Sequence, residues 1–274
     1  MTDMTIDLSR EAPVGDAAAA GPGILDTIDP ELGERLSRRE ALLGSARRWG
    51  PIATVPVLLA GCNALTTVAT PLPQQVKDTL NFALTLEELE NEFYNTALAS
   101  PGLIPAGWVQ SFQTISGHER AHVAALRLAL DVDAIAKPAF DFTAGGRFPT
   151  VFSDFNTFLA LSQAFEDTGV RAYKGQAANL MVKKDTLTTA LQIHSVEARH
   201  AAQVRYIRGA TPWIEGSNRS GLPAAAQAVY DGEGATSQEG VNVANFVGAT
   251  DASAAFDEPL SKEQVLAIAG LFLA

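Results

Sequence analysis

Just after Pro73 the hydrophobic positions begin to recur at helical spacing. Leu80, Ala83, Leu84, Leu86, Leu89, Phe93, Ala97 and Leu98 fall mostly three or four residues apart, which places them on one face of a helix. Pro101-Gly102 ends this first helix. The same reading predicts a second helix from about Pro105 to Leu130, a third from Val151 to Leu180 and a fourth from Asp185 to Arg208. Within these, 74–99, 108–130, 151–180 and 185–208 contain no proline. Asp185 is the expected N-cap of the fourth helix, and Gly209 its expected stop. Short links join the first helix to the second and the third to the fourth, whereas residues 131–150 form a long connection between the pairs. An all-α fold follows, a four-helix bundle with one long crossover.

Beyond the bundle (residues 71–208), residues 209–274 form an extension. Its first part, 209–260, is rich in Gly, Ala and Ser, with Trp213, Tyr230 and Phe246 scattered through it. It is too long for a simple connection and is expected to wrap the bundle, covering apolar surface or a subunit contact. Residues 261–273 read as a short helix capped by Ser261, with Glu263 in its first turn. Val265, Leu266, Ile268, Ala269 and Phe272 form its apolar face.

A second regularity runs through the bundle. Glu87 precedes Tyr94 by seven residues, and Glu166 precedes Tyr173 by seven; this pair is repeated 79 residues on. Glu119 precedes His122 by three, and Glu197 precedes His200 by three; this pair is repeated 78 residues on. Steps of three and of seven keep side chains on one helix face. The chain therefore reads as two similar helix pairs bringing six donors, Glu87, Glu119, His122, Glu166, Glu197 and His200, to one interior. One Glu from each of two helices and one Glu-x-x-His from each of the other two is the ligand set of two-metal carboxylate bundles. Hard divalent ions such as iron and manganese suit carboxylate oxygen with some imidazole. Four carboxylates balance two dications, whereas without a cation they would repel one another and be costly to bury.

Neighbouring residues carry their own expectations. Glu88 and Glu92 are assigned to a solvated face. Glu90, one turn past Glu87, could add a ligand, although its repeat counterpart is Gly169. Tyr94 and Tyr173 are candidate catalytic residues, as hydrogen-bond donors to a ligand carboxylate or as electron donors; the alternative is a pair of core aromatics. His194 is expected at the surface or behind the ligands. His118-Glu119-Arg120-Ala121-His122 also matches the H-E-x-x-H zinc-peptidase pattern, but that reading leaves the second Glu-x-x-His and both Glu–Tyr pairs unexplained.

The formal net charge of −11 argues against nucleic acid as a partner, because phosphate binding needs basic surface. The single cysteine, Cys62, excludes an intramolecular disulfide and any Cys-rich metal site. Residues 1–36 lack periodicity and are expected to be disordered. Residues 37–70 begin Ser37-Arg38-Arg39-Glu40-Ala41-Leu42-Leu43 and continue into a mostly apolar run from Trp49 to Ala60, which resembles a twin-arginine export signal. Leu59-Ala60-Gly61-Cys62 resembles a lipoprotein cleavage box, making Cys62 a candidate lipid anchor. The expected location is the periplasm or cell envelope.

The stretch Leu80-Asn81-Phe82-Ala83-Leu84-Thr85-Leu86-Glu87 with Glu90 and Phe93-Tyr94, the run Ser195-Val196-Glu197-Ala198-Arg199-His200, and Phe256-Asp257-Glu258-Pro259-Leu260 together resemble the bacterial secreted ferritin-like domain family, whose relatives include plant desiccation-related proteins. The resemblance covers roughly residues 72–274. It implies a ferritin-like four-helix bundle, a centre of two divalent metal ions on the six donors, export and a stress role. The leading expectation is reaction of iron or manganese with O2 or hydrogen peroxide, as a ferroxidase or a peroxide-consuming enzyme. The alternatives are a non-catalytic desiccation or stress protein of the envelope, held together by metal, and a zinc peptidase. Assembly with further copies of the chain is compatible with each.

Overall fold

The computed structural model describes residues 71–274. The predicted disordered segment, the export signal and Cys62 lie outside the described residues. Four long helices dominate: α1 (Gln74–Ala99), α2 (Val109–Leu130), α3 (Phe155–Gln176) and α4 (Lys184–Ile207). α1 packs along α2 and α3 along α4, and the connection from 131 to 154 crosses between the pairs. No helix among the described residues is long and apolar enough to cross a membrane.

The predicted helices are all present, with boundaries moved by local chemistry. α2 starts at Val109, not Pro105, after a stretch of turns. α3 starts at Phe155, not Val151, because the Asp154 side chain accepts a hydrogen bond from Thr157 N at 2.8 Å and caps the first turn. It ends at Gln176 and continues as a 3₁₀ turn, Ala177–Leu180. Asp185 is not the N-cap of α4: Lys183 holds that position without a side-chain cap, and Asp185 sits in the first turn, where its charge still favours the helix N-terminus. At the other end, Gly209 takes a left-handed φ of 70°. Gly209 N donates to Tyr206 O at 3.0 Å and Ala210 N to Arg205 O at 2.9 Å, the paired bonds of a Schellman stop.

The core falls into two apolar clusters. One holds Phe93, Phe112, Phe158, Phe165 and Val204; the other holds Val76, Leu84, Leu130, Leu180 and Ile193. On every helix the buried carboxylates or histidines lie in sequence between residues of these two clusters, so a polar layer interrupts the core at one height.

The extension packs against the bundle. Ile214, Leu222, Val229, Tyr230 and Leu260 all join the larger apolar cluster. Short helices α5 (Ala244–Val247) and α6 (Ala249–Ala254) follow a two-residue hairpin in which β1 (Ser237–Gln238) pairs antiparallel with β2 (Val241–Asn242). Trp213 and Phe246 face solvent, whereas Tyr230 is fully buried. The buried Arg171 of α3 fastens the extension. It pairs with Glu233 at 2.6 Å and donates to the carbonyls of Val229, Asp231 and Glu258. Gly175 is required where the extension passes: a Cβ there would lie 2.0 Å from Leu260 O.

Ser261 caps α7 (Lys262–Ala269) in a capping box with Gln264. Val265, Ile268, Ala269 and Phe272 are buried, but Leu266 turns outward and is 39% exposed. The chain end then pairs with the crossover: Asp141 N donates to Phe272 O at 2.9 Å and Ala274 N to Ala139 O at 3.0 Å.

Candidate metal centre

α2 and α4 each carry Glu-x-x-His, with both side chains on the inner face. His122 Nδ1 lies 3.1 Å from Glu87 Oε2, 3.2 Å from Glu119 Oε2 and 3.0 Å from Glu197 Oε1. His200 Nδ1 lies 2.8 Å from Glu119 Oε1, 3.4 Å from Glu166 Oε2 and 3.4 Å from Glu197 Oε2. Glu119 and Glu197 therefore each turn one oxygen toward either imidazole. Glu87 belongs with His122 alone and Glu166 with His200 alone.

The six predicted donors thus come together as two overlapping groups, Glu87–Glu119–His122–Glu197 and Glu119–Glu166–Glu197–His200. Within each group the donor atoms all lie within 4.8 Å of one another. Each group can hold a metal ion, and Glu119 and Glu197 are shared. The four carboxylates are 0% exposed, His122 is 8% exposed and His200 4%.

The tyrosines cross over between the repeats. Tyr94 of α1 donates to Glu166 Oε1 on α3, and Tyr173 of α3 donates to Glu87 Oε1 on α1, each at 2.5 Å. Each phenol thus holds the outer oxygen of one unshared carboxylate, leaving the other oxygen facing the histidine. Burial and the adjacent carboxylates push both phenols well above their ordinary range, so both stay protonated.

The donor set fits a cation by what it leaves unsatisfied. Glu119 Oε1, Glu166 Oε2, both Glu197 oxygens and His200 Nδ1 are buried without a hydrogen-bond partner, their close approaches lacking hydrogen-bond geometry. Such groups are costly to bury unmet, and here they converge. Without a metal ion, protons do the neutralising. Burial lifts Glu87 well above the usual carboxylate range, with Glu197 adding to the effect. Burial lifts Glu166 to about 8, although His200 opposes it. Burial also works against the charged forms of Glu119 and His122, but their contacts prevail. His122 and His200 hold Glu119 at about 2, and Glu119, Glu197 and Glu87 raise His122 to about 12. His200 is raised too, against burial, first by Glu166.

His118 joins neither donor group. Its Nδ1 meets His200 Nε2 at 2.9 Å with the rings stacked, so it lies behind the ligand. The H-E-x-x-H residues therefore do not gather around one point as a zinc-peptidase pair would. His118 and His200 line a surface groove of about 330 Å³ with Thr114, Arg199 and Gln203. His194 is half-buried outside both groups.

Among the other acids, Glu92 remains in the solvated layer, paired with Lys137 at 2.5 Å. Glu88 corrects its assignment to a solvated face: it is 3% exposed and pairs with Arg127 of α2 at 2.5 Å. Glu90 is also buried, at 3% exposed. The sequence reading missed a further buried network beside the centre. Asp167 accepts from Arg205 at 2.6 and 3.1 Å and from Tyr230 OH at 2.6 Å. No local spacing signals it, because Tyr230 arrives from the extension 63 residues away.

Residues 75–210 match the ferritin-like domain family. No curated protein matches the chain. The matched stretch contains all six donors and the bundle helices from Gln75 onward, so this part of the chain is a ferritin-like domain.

Proposed function

We propose that this ferritin-like domain binds two iron or manganese ions and reacts with dioxygen or hydrogen peroxide, as a ferroxidase or a peroxide-consuming enzyme. The observation that carries the reading is the division of six donors into two groups of four that share Glu119 and Glu197. In this reading Glu87 and His122 complete one site, and Glu166 and His200 the other. Four carboxylates then match the charge of two dications. When bound, such a pair supplies redox chemistry toward an oxidant.

The remaining work belongs to the chain. Tyr94 and Tyr173 orient the outer oxygens of Glu166 and Glu87 and are the phenols nearest the centre, placed to act as electron donors. His118 fixes the far nitrogen of His200 and with it the ring's orientation. The apolar clusters above and below the polar layer exclude bulk water, while the groove beside His118 admits a small oxidant. Location in the cell envelope belongs to the same proposal and is supported by the Ser37-Arg38-Arg39 segment and its apolar sequel; a mature protein still beginning near Met1 would remove it.

Element analysis of the purified chain, followed by rapid mixing of the reduced, loaded protein with O2 or peroxide, tests the reading. Two ions per chain and a spectral or turnover response are expected. Full occupancy with no response would move the function to a metal-stabilised stress protein, which a large drop in melting temperature on chelation would then mark. His118→Ala is expected to keep its metal, whereas a peptidase site would lose it.

A further inference from the structure

The repeat that relates Glu87 to Glu166 and Tyr94 to Tyr173 also relates Glu90 to Gly169. In the fold these two positions face each other across the bundle. A Cβ on Gly169 would lie 3.3 Å from Glu90 Oε1 and 3.7 Å from Glu197 Cγ. A side chain at Gly169 would crowd the Glu90 carboxylate, so the space between the helices is filled from α1 and not from α3.

Glu90 sits one helical turn from Glu87, on the same face of α1. It is 3% exposed, no side-chain hydrogen bond or ion pair reaches it among the described residues, and its carboxylate stands outside both donor groups, next to them. Glu88, buried to the same extent, shows the ordinary solution for a buried acid, since it has Arg127. Glu90 instead has acids of its own sign for neighbours: Glu197 reaches the same Gly169 position, and Glu87 lies one turn back on α1. A purely structural role would be better served by an apolar residue, because an unpaired buried acid destabilises the fold.

We propose that Glu90 is a fifth carboxylate ligand of the metal centre, acting from the Glu197 side in the space that Gly169 leaves open. The inference rests on the two-metal reading above. It makes the centre asymmetric, because no equivalent carboxylate is offered from α3.

The test uses the full chain, stripped of metal and titrated with Co(II) as the probe, with visible absorption reporting coordination number. The wild type is expected to bind two ions. Glu90→Gln keeps the shape of the side chain and removes its strongest donor. It is expected to weaken one of the two ions by about tenfold to a hundredfold and to intensify the visible band, as the coordination number falls. Gly169→Ala, which pushes the Glu90 carboxylate aside, is expected to act in the same direction, and it decides the matter should Glu90→Gln fail to fold by circular dichroism. Wild-type affinity and an unchanged band in Glu90→Gln, with a higher melting temperature of the metal-free protein, would overturn the assignment and leave Glu90 a buried neutral acid. A wild type that takes up no Co(II) would instead sink the two-metal reading beneath it.

Discussion

Loading divalent ions into the metal-free protein at pH 7 is expected to release about two to five protons per chain, because ligands must give up their protons to bind. The count comes from the centre itself. His122 is raised to about 12 and His200 is raised as well, so both imidazoles are cationic at neutral pH, and each must free its Nδ1. Glu166, at about 8, is mostly protonated at pH 7, and Glu87 lies well above the usual range. Glu119, at about 2, is already ionised and contributes nothing. Two protons therefore come from the histidines and up to three from the acids, Glu90 being the third when it ligates. Calorimetric titration with Mn(II) in buffers of different ionisation enthalpy counts them directly. At the lower count, one proton per ion, the apparent affinity of each ion rises about tenfold per pH unit. Metal uptake with release of fewer than about one proton would refute the reasoning, since the ions would then occupy carboxylates already ionised, such as those on the acidic surface.

Three further outcomes follow from the same contacts. Without metal, Glu166 keeps its proton up to about pH 8 in the fold but only to its ordinary 4.5 when unfolded, so stability falls as pH rises between these values. His122, at about 12 against an ordinary 6.5, stabilises fully below 6.5 and loses that contribution as pH rises, adding to the fall. Each group contributes about 1.4 kcal/mol per pH unit, so chelated protein is expected to melt several degrees lower at pH 8 than at pH 6.5, and a higher melting point at pH 8 would contradict the assignment. Tyr173→Phe removes the donor to Glu87 Oε1; a cost of about 1–3 kcal/mol and a metal affinity lower by about tenfold or more are expected, measured by chemical denaturation and chelator competition. Arg171→Met leaves the fully buried Glu233 without its counter-charge, at a cost of about 3–5 kcal/mol, and is expected to open residues 209–260 to protease while the bundle keeps its metal.

The helices and the six donors were legible in the sequence because both depend on periodicity along one chain segment. A three- or seven-residue step puts side chains on a common face whatever lies opposite, and the recurrence after 78 or 79 residues marked the two halves of the bundle. Stop and cap signals at Gly209 and Ser261 were equally local. The division of labour within the centre was not. That Glu119 and Glu197 are shared, while Glu87 and Glu166 each meet one histidine and one tyrosine from the other repeat, depends on how α1 and α2 lie against α3 and α4. The same is true of Glu88, which is adjacent in sequence to a ligand and is buried only because Arg127 reaches it from the next helix. Arg171, Asp167 and Tyr230 acquired their roles from an extension whose composition gave no periodic signal. Helical spacing is local geometry and survives in one dimension. The partner of a buried charge is chosen across elements far apart in the chain, so only the folded packing decided whether Glu90 would face an arginine, water or the empty place beside Gly169.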